Sequence, residues 1–294
     1  MREQEYVLEN VDSFEVKDIF ECGQCFRWEK EDDKSYTGIV SGNIINVKVL
    51  NEDNDILFSG IKRTDVDIEK FIIKYFDLER DYNKIKEEFS KSDNNLKKAI
   101  TYCGGIRILN QDLWEMVISY IISANNNIPR IKKIINALSE KYGKEINYNG
   151  KKYYSFPEIE DLKKVSIEEY RKCGAGFRDK YLYNTVKKIL SEKNYLSDLY
   201  KLDTKTCKDK LLELDGVGPK VCDCILLFSD LKRFDCFPVD VWVRRVMNDL
   251  YIKNVDEKKV TNSEIQKIAD EKFGDNKGLA QQYLFMWRRN NKEA

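Results

Sequence analysis

Lys220 follows a short turn, Leu214-Asp215-Gly216-Val217-Gly218-Pro219, and Asp240 ends the run Phe237-Pro238-Val239 twenty positions further on. A lysine with a nearby carboxylate suits nucleophilic catalysis, in which the neutral amine attacks an electrophilic carbon. An amine with the ordinary pKa of about 10.4 attacks only if burial lowers that value or a proton is lost on the way. The chain contains no histidine, so Ser-His and Cys-His nucleophile pairs and a histidine base are excluded. Chemistry falls to lysine, carboxylate or cysteine, and the pH response should follow the first two.

Two helices must position that turn. Leu211, Leu212 and Leu214 end the first, and Pro219 suits the opening position of the second. Gly216 and Gly218 let the backbone approach another chain closely, and the free amides at the new helix start form an anion site that fits a DNA phosphate. Taken alone, such a hairpin fits a non-catalytic grip on the DNA backbone equally well. The second helix has an apolar face of Val221, Ile225 and Phe228, which leaves Lys220 and Cys224, one turn apart, on an adjacent face. Asp240 precedes Val241-Trp242-Val243-Arg244-Arg245-Val246 as an N-cap, and a cap would hold its carboxylate in place.

At 294 residues the chain is long enough for two or three packed subdomains. Its 51 basic and 51 acidic residues cancel, so a nucleic-acid partner has to be held by local arrangement rather than by a global field. No apolar run reaches the roughly 20 residues that cross a bilayer, and Met1-Arg2-Glu3-Gln4-Glu5 lacks the plan of a secretory signal. No membrane association is expected, and a cytoplasmic, DNA-associated protein of a prokaryote is. Eight cysteines in a chain of this size fit reduced thiols better than a disulfide framework. Cys22-Gly23-Gln24-Cys25 has metal-like spacing but no second pair to complete a zinc set, and no cysteine cluster for iron–sulfur lies beyond Cys236.

Along the chain, Tyr36–Val40 and Ile44–Leu50, separated by Ser41-Gly42-Asn43, read as a hairpin. Ile56–Gly60 adds a further strand, and Ile68–Tyr75 is helical. From about residue 106 the spacing turns helical: Leu113, Val117, Tyr120 and Ile121 share a face, as do Ile131, Ile134, Ile135 and Leu138. Glycines and prolines, Gly143, Gly150 and Pro157 among them, break the remainder into short helices. The fold class is α+β: a small N-terminal antiparallel sheet domain over residues 1–100, then a mostly helical body over 101–294 that contains the helix-hairpin-helix, with two helical subdomains flanking an active-site cleft.

The run from Leu214 to Cys224, with Pro238-Val239-Asp240-Val241, resembles the helix-hairpin-helix DNA glycosylases and specifically the 8-oxoguanine DNA glycosylase family. Cys22-Gly23-Gln24-Cys25-Phe26-Arg27-Trp28, Ser123–Arg130, Gly174-Ala175-Gly176-Phe177-Arg178 and Gly278–Phe285 resemble it in the same order. The resemblance implies a bifunctional DNA glycosylase and abasic-site lyase, in which Lys220 attacks the sugar C1′ and Asp240 stabilises the charged sugar. It implies that the Gly23 carbonyl accepts the N7 hydrogen that distinguishes 8-oxoguanine from guanine. Gln281 would bond the Watson–Crick edge, with Phe285 and Cys224 closing the two faces of the base.

By the same resemblance Asn125 fills the gap left by the extruded base, Phe177 wedges beside the orphaned partner, and Arg130 and Arg178 read that partner, expected to be cytosine. Plainer roles stay open: Asn125 as a loop or cap residue, Phe177 and Phe285 as core. Gly216, Gly218 and Lys220 would meet DNA phosphate. The carbonyls of Leu212, Leu214 and Val217 could hold a monovalent ion or calcium structurally; no catalytic metal and no cofactor is implied. Trp242 stands where vertebrate members carry a histidine, which alters a phosphate contact. The Cys22–Trp28 segment otherwise reads as a strand edge. The expected partner is double-stranded DNA containing oxidised guanine, bound by a monomer. The alternatives are a monofunctional glycosylase for alkylated bases, which would not need Lys220, and a non-catalytic DNA-binding hairpin protein.

Overall fold

Between Tyr36 and Val49 the chain folds back at Ser41 and Gly42, both at positive φ (49° and 74°), the two-residue turn whose twist matches the strands it joins. Val40 then pairs with Asn43 and Tyr36 with Val47. The computed structural model describes residues 2–62, 67–253, 256 and 259–291. Strands β1 (Arg2–Leu8), β2 (Trp28–Lys30), β3 (Tyr36–Val40), β4 (Asn43–Val49) and β5 (Ile56–Lys62) form one antiparallel sheet in the order β1-β5-β4-β3-β2. One face of it buries Val47, Phe58, Tyr36 and Trp28 against Phe20, Phe76 and Tyr75; Phe20 stacks on Trp28 at 4.1 Å, and the Trp28 indole donates to the Tyr75 hydroxyl at 3.0 Å.

Helices α1 (Val16–Glu21), α2 (Ile68–Tyr75), α3 (Tyr82–Ser92) and α4 (Asn94–Cys103) accompany the sheet, but α3 and α4 bury their apolar residues in the large helical core instead. That core is built on α5 (Leu113–Ser123) and α6 (Ile128–Tyr142), followed by a small hairpin of β6 (Glu145–Tyr148) and β7 (Lys151–Tyr154). The helices α7 (Ile167–Lys172), α8 (Asp179–Ser191), α9 (Tyr195–Leu199), α10 (Thr204–Leu211), α11 (Pro219–Phe228), α12 (Val241–Met247), α13 (Asn262–Phe273) and α14 (Lys277–Asn290) complete it. Nine of the eleven residues of α5 are buried, and so are eight of the ten in α11. These two helices form the most deeply buried part of the helical body, and α11 carries Lys220 and Cys224. An antiparallel sheet followed by a helical body is the architecture expected from the sequence.

Two features depart from the sequence reading. Residues 144–155 do not continue as helix: Glu145–Tyr148 and Lys151–Tyr154 pair across Asn149 and Gly150, both at positive φ. Ile146 and Tyr148 are buried there against Ile44 of the sheet. Residues 22–27 are turns rather than a strand edge, and β2 begins only at Trp28. The physical reason is Gln24, whose side chain replaces a strand ladder with three buried bonds: its amide donates to the carbonyls of Ile19 (2.9 Å) and Arg107 (2.8 Å), and its oxygen accepts from the Leu109 N–H (2.9 Å).

Candidate active site

The hairpin closes as the sequence predicts. Gly218 is the N-cap of α11 without any side-chain cap, and Pro219 occupies the first turn, so the N–H groups of the helix start are unspent by local capping. Gly216 has φ +83°, and a Cβ there would lie 2.9 Å from the Tyr181 Cβ on α8; only glycine fits both demands. Asp215 fastens the turn to α8, its carboxylate accepting from Asn184 at 2.6 Å and its carbonyl from the Thr185 hydroxyl at 3.1 Å. The Leu214 carbonyl takes the Val217 N–H at 3.1 Å.

Lys220, half-buried, extends from this start over the Tyr120 ring, with its Nζ 5.6 Å from the ring centre. Its side chain also hydrogen-bonds Cys224, one turn along α11. Burial pushes the Cys224 thiol up to about 11, against the pull of the Lys220 ammonium, so Cys224 is a neutral thiol at physiological pH. Asp240 caps α12, its Oδ1 accepting the Val243 N–H at 2.8 Å. Such a bond contributes about 1 kcal/mol to the helix and fixes the carboxylate. Asp240 lies close enough to Cys224 for its charge to act on the thiol. Lysine, cysteine and aspartate therefore share one locality. Beside them, Trp242 carries the Arg245 guanidinium over its ring at 5.4 Å.

The glycine of the Cys22–Trp28 segment meets the C-terminal helix. Gly23 has φ +86°, and a Cβ there would sit 3.6 Å from Phe285 Cε1 and 3.7 Å from Arg289 Nη1. Arg289, four residues beyond Phe285 on α14, lies over the Phe285 ring at 5.2 Å and donates to the Glu21 carbonyl. Phe285 is half-buried, whereas Leu279, Tyr283 and Met286 on the same helix are buried, so Phe285 stands apart from the core stripe. Gln281 is buried and accepts from the Gln282 amide at 2.9 Å.

A second cluster forms where α5 ends. Asn125 is exposed and left-handed (φ 49°), and the N-cap of α6 is Asn127 rather than Asn125. Arg178 is only 1% exposed: its guanidinium turns inward, donating to the carbonyls of Ala124, Asn125 (2.8 Å) and Ala175 (3.2 Å). Arg130 is exposed, with an Nη2 beside Gly176. Phe177 is 57% exposed, which excludes a core role; it meets Tyr181 edge-on at 6.3 Å, the same Tyr181 that abuts Gly216. The residues the sequence singled out thus gather into three groups: Lys220 with Cys224 and Asp240, Gly23 with Phe285, and Asn125 with Arg130, Phe177 and Arg178.

Sequence reasoning missed the residues that join these parts. Tyr120 counted only as a core position, and Tyr181 and Arg289 drew no notice. Arg289 carried a readable signal, its spacing of four from Phe285 on one helix face. Nothing local distinguishes Tyr120 from its apolar neighbours.

Fold and hairpin together define a helix-hairpin-helix protein with a lysine in the first turn of the second helix. Residues 6–117 match the family model of the 8-oxoguanine DNA glycosylase N-terminal domain, and residues 118–271 match that of the HhH-GPD superfamily base excision DNA repair proteins. The 8-oxoguanine glycosylase/lyase of Clostridium acetobutylicum, solved with double-stranded DNA containing cytosine opposite 8-oxoguanine, superposes with TM-score 0.90 at 42% identity over 99% of both chains. The N-glycosylase/DNA lyase OGG1 of Arabidopsis thaliana is 29% identical over 91% of this chain and 75% of its own length. A probable N-glycosylase/DNA lyase of Methanothermobacter thermautotrophicus is 32% identical over 71% of this chain and 70% of its own. The chain belongs to the HhH-GPD superfamily of base excision DNA repair proteins, in its 8-oxoguanine DNA glycosylase family. A 3-methyladenine DNA glycosylase from Archaeoglobus fulgidus, at 20% identity and TM-score 0.76, shares the fold.

Proposed function

We propose that this chain is a bifunctional DNA N-glycosylase and abasic-site lyase that excises 8-oxoguanine opposite cytosine from duplex DNA in base excision repair. The observation that carries the reading is Lys220 itself: half-buried at the unspent start of α11, bonded to a thiol, and in the locality of a capped carboxylate. A monofunctional glycosylase has no use for that lysine.

In the reaction the neutral Lys220 amine forms a bond to C1′ and the glycosidic bond to N9 breaks, its electron pair leaving with the base, which takes a proton. Asp240 stabilises the positive charge on the sugar. The attached nitrogen gives up one of its two protons, and its lone pair then forms the iminium as the C1′–O4′ bond breaks and O4′ takes a proton. Removal of a C2′ proton then expels the 3′ phosphate by β-elimination, and water hydrolyses the imine to free the lysine.

The base leaves the stack at a cost of about a few kcal/mol before any of this occurs. Its N7 hydrogen meets the Gly23 carbonyl, Gln281 bonds the Watson–Crick edge, and Phe285 and Cys224 sandwich the ring. Guanine offers a lone pair at N7 instead, and an unmade buried bond costs roughly 1–3 kcal/mol. On the other side Asn125 fills the gap and Phe177 wedges the duplex. Arg130 reads the orphaned cytosine directly, while Arg178 serves that reading by holding the Asn125 loop through its carbonyls. Amides at Gly216, Gly218 and Lys220 take DNA phosphate, and the carbonyls of Leu212, Leu214 and Val217 are the candidate seat of a structural cation through which no step passes. The protein works as a monomer.

Single-turnover incubation with duplexes carrying one lesion each tests this reading. Free 8-oxoguanine and a strand cleaved at its 3′ side are expected from the 8-oxoguanine:cytosine duplex. Release of 3-methyladenine without strand cleavage, or binding with no release from either duplex, would overturn it.

A further inference from the structure

We propose that Tyr120 is a positioning residue that sets the distance between the base-reading loop and the nucleophile, its hydroxyl holding the one and its ring the other. The inference rests on the function proposed above. Tyr120 is 2% exposed on α5, and its hydroxyl donates to the Gln24 carbonyl at 3.2 Å. The same ring lies beneath the Lys220 Nζ at 5.6 Å. It is itself fixed on two sides, stacked on Phe228 of α11 at 5.8 Å and edge-on to Phe26 at 5.5 Å.

The hydroxyl matters because Gly23 cannot hold its own carbonyl. At φ +86° glycine is conformationally free, and the direction of its carbonyl is set by the peptide it shares with Gln24. Gln24 is anchored through its side chain, as described, and through its carbonyl, which accepts from Tyr120 and from the Gln111 amide at 2.8 Å. The Tyr120 bond is the one that ties this loop to the helix beneath the nucleophile. A carbonyl that discriminates by meeting a hydrogen or a lone pair at N7 loses selectivity if it rotates by a few tenths of an ångström.

The ring acts on the other partner. The face of an aromatic ring attracts an ammonium, and the attraction persists when the nitrogen carries the charge of an iminium. A rigid ring with two fixed contacts therefore holds the Lys220 ammonium beside the sugar until it gives up its proton, and holds the iminium once attack has occurred.

The two halves separate by substitution. Tyr120→Phe removes one hydroxyl and keeps every ring contact, and Gln24 retains Gln111 as a partner, so the fold survives. Tyr120→Leu removes the ring as well. The measurements are single-turnover base release from an 8-oxoguanine:cytosine duplex and borohydride-trapped adduct formation on a duplex with a preformed abasic site, where no base has to be read. Tyr120→Phe is expected to slow base release about two- to tenfold, the range one hydrogen bond commands, and to slow adduct formation distinctly less. Tyr120→Leu is expected to slow adduct formation on the abasic duplex by about threefold or more relative to Tyr120→Phe. Wild-type base release in Tyr120→Phe, or an equal loss of both activities in it, overturns the proposal. If the wild-type protein neither releases base nor forms adduct, the proposed function fails before Tyr120 is in question.

Discussion

Cys224 and Lys220 touch, yet they are not interchangeable nucleophiles. A thiol with a pKa of about 11 remains protonated at neutral pH, which suits the part proposed for it against a purine face rather than attack on the sugar. The two arginines beyond the end of α5 divide in the same way. Arg178 spends its donors on the carbonyls of Ala124, Asn125 and Ala175, and its burial and the neighbouring Arg130 charge lower its pKa. Arg130 stands exposed beside Gly176, free to turn toward a base. Replacing Arg130 with alanine is expected to flatten the preference for cytosine among the four opposite bases by about tenfold, the lower range of one arginine-to-base contact. Base-release rates on the four duplexes measure it; an undiminished cytosine preference would mean that another residue reads the partner.

The elements show which signals a sequence displays. Helix α11, with Pro219 at its start and Val221, Ile225 and Phe228 inward, was legible, as was Asp240 as a cap, because periodicity and capping are local. The β3–β4 hairpin was legible for the same reason. The β6–β7 hairpin was not: Asn149-Gly150 is a strong turn signal, but Gly150 read as a helix breaker in a helical stretch, and the burial of Ile146 and Tyr148 depends on the distant Ile44. Strand β1 was missed because Glu3, Gln4 and Glu5 carry little apolar alternation; its pairing with β5 supplies the order. At the site, motif residues were visible individually, whereas the Tyr120–Gln24–Lys220 link joins three segments far apart in sequence.

Helix α1, which delivers the chain to Gly23, carries a pH response. Burial raises the Asp18 carboxyl to about 6, although it accepts the Gly105 N–H at 3.2 Å. An unfolded aspartate releases its proton near 3.8. Between those values the folded state holds more protons, so stability falls as pH rises from about 4 to 6, and the cost is complete above 6. Asp18→Asn keeps an acceptor for Gly105 without the charge. Its Tm at pH 7.5 should exceed that of wild type by roughly 2–4 °C, with the two converging near pH 4. Thermal melts across that range check this, and a difference that does not change with pH would contradict it.

At the scale of the whole molecule, 51 basic residues offset 51 acidic ones, and no helix among the described residues is long and apolar enough to cross a membrane. On the function proposed, DNA is gripped by a few placed groups, the amides of the α10–α11 hairpin foremost. Counterion release then predicts a shallow salt dependence, a slope of log affinity against log salt between about −2 and −4 for two to four phosphate contacts. Titrations of undamaged duplex at several salt concentrations measure that slope, and a much steeper one would require a basic surface that a neutral chain has to build elsewhere.

On the proposed mechanism Lys220 becomes covalently bound to the sugar, and borohydride added to the protein with an 8-oxoguanine:cytosine duplex traps that bond. A stable adduct whose cross-linked peptide contains Lys220, and which is absent in Lys220→Gln, is the predicted result; base release with no adduct, or an adduct that persists in Lys220→Gln, would contradict it.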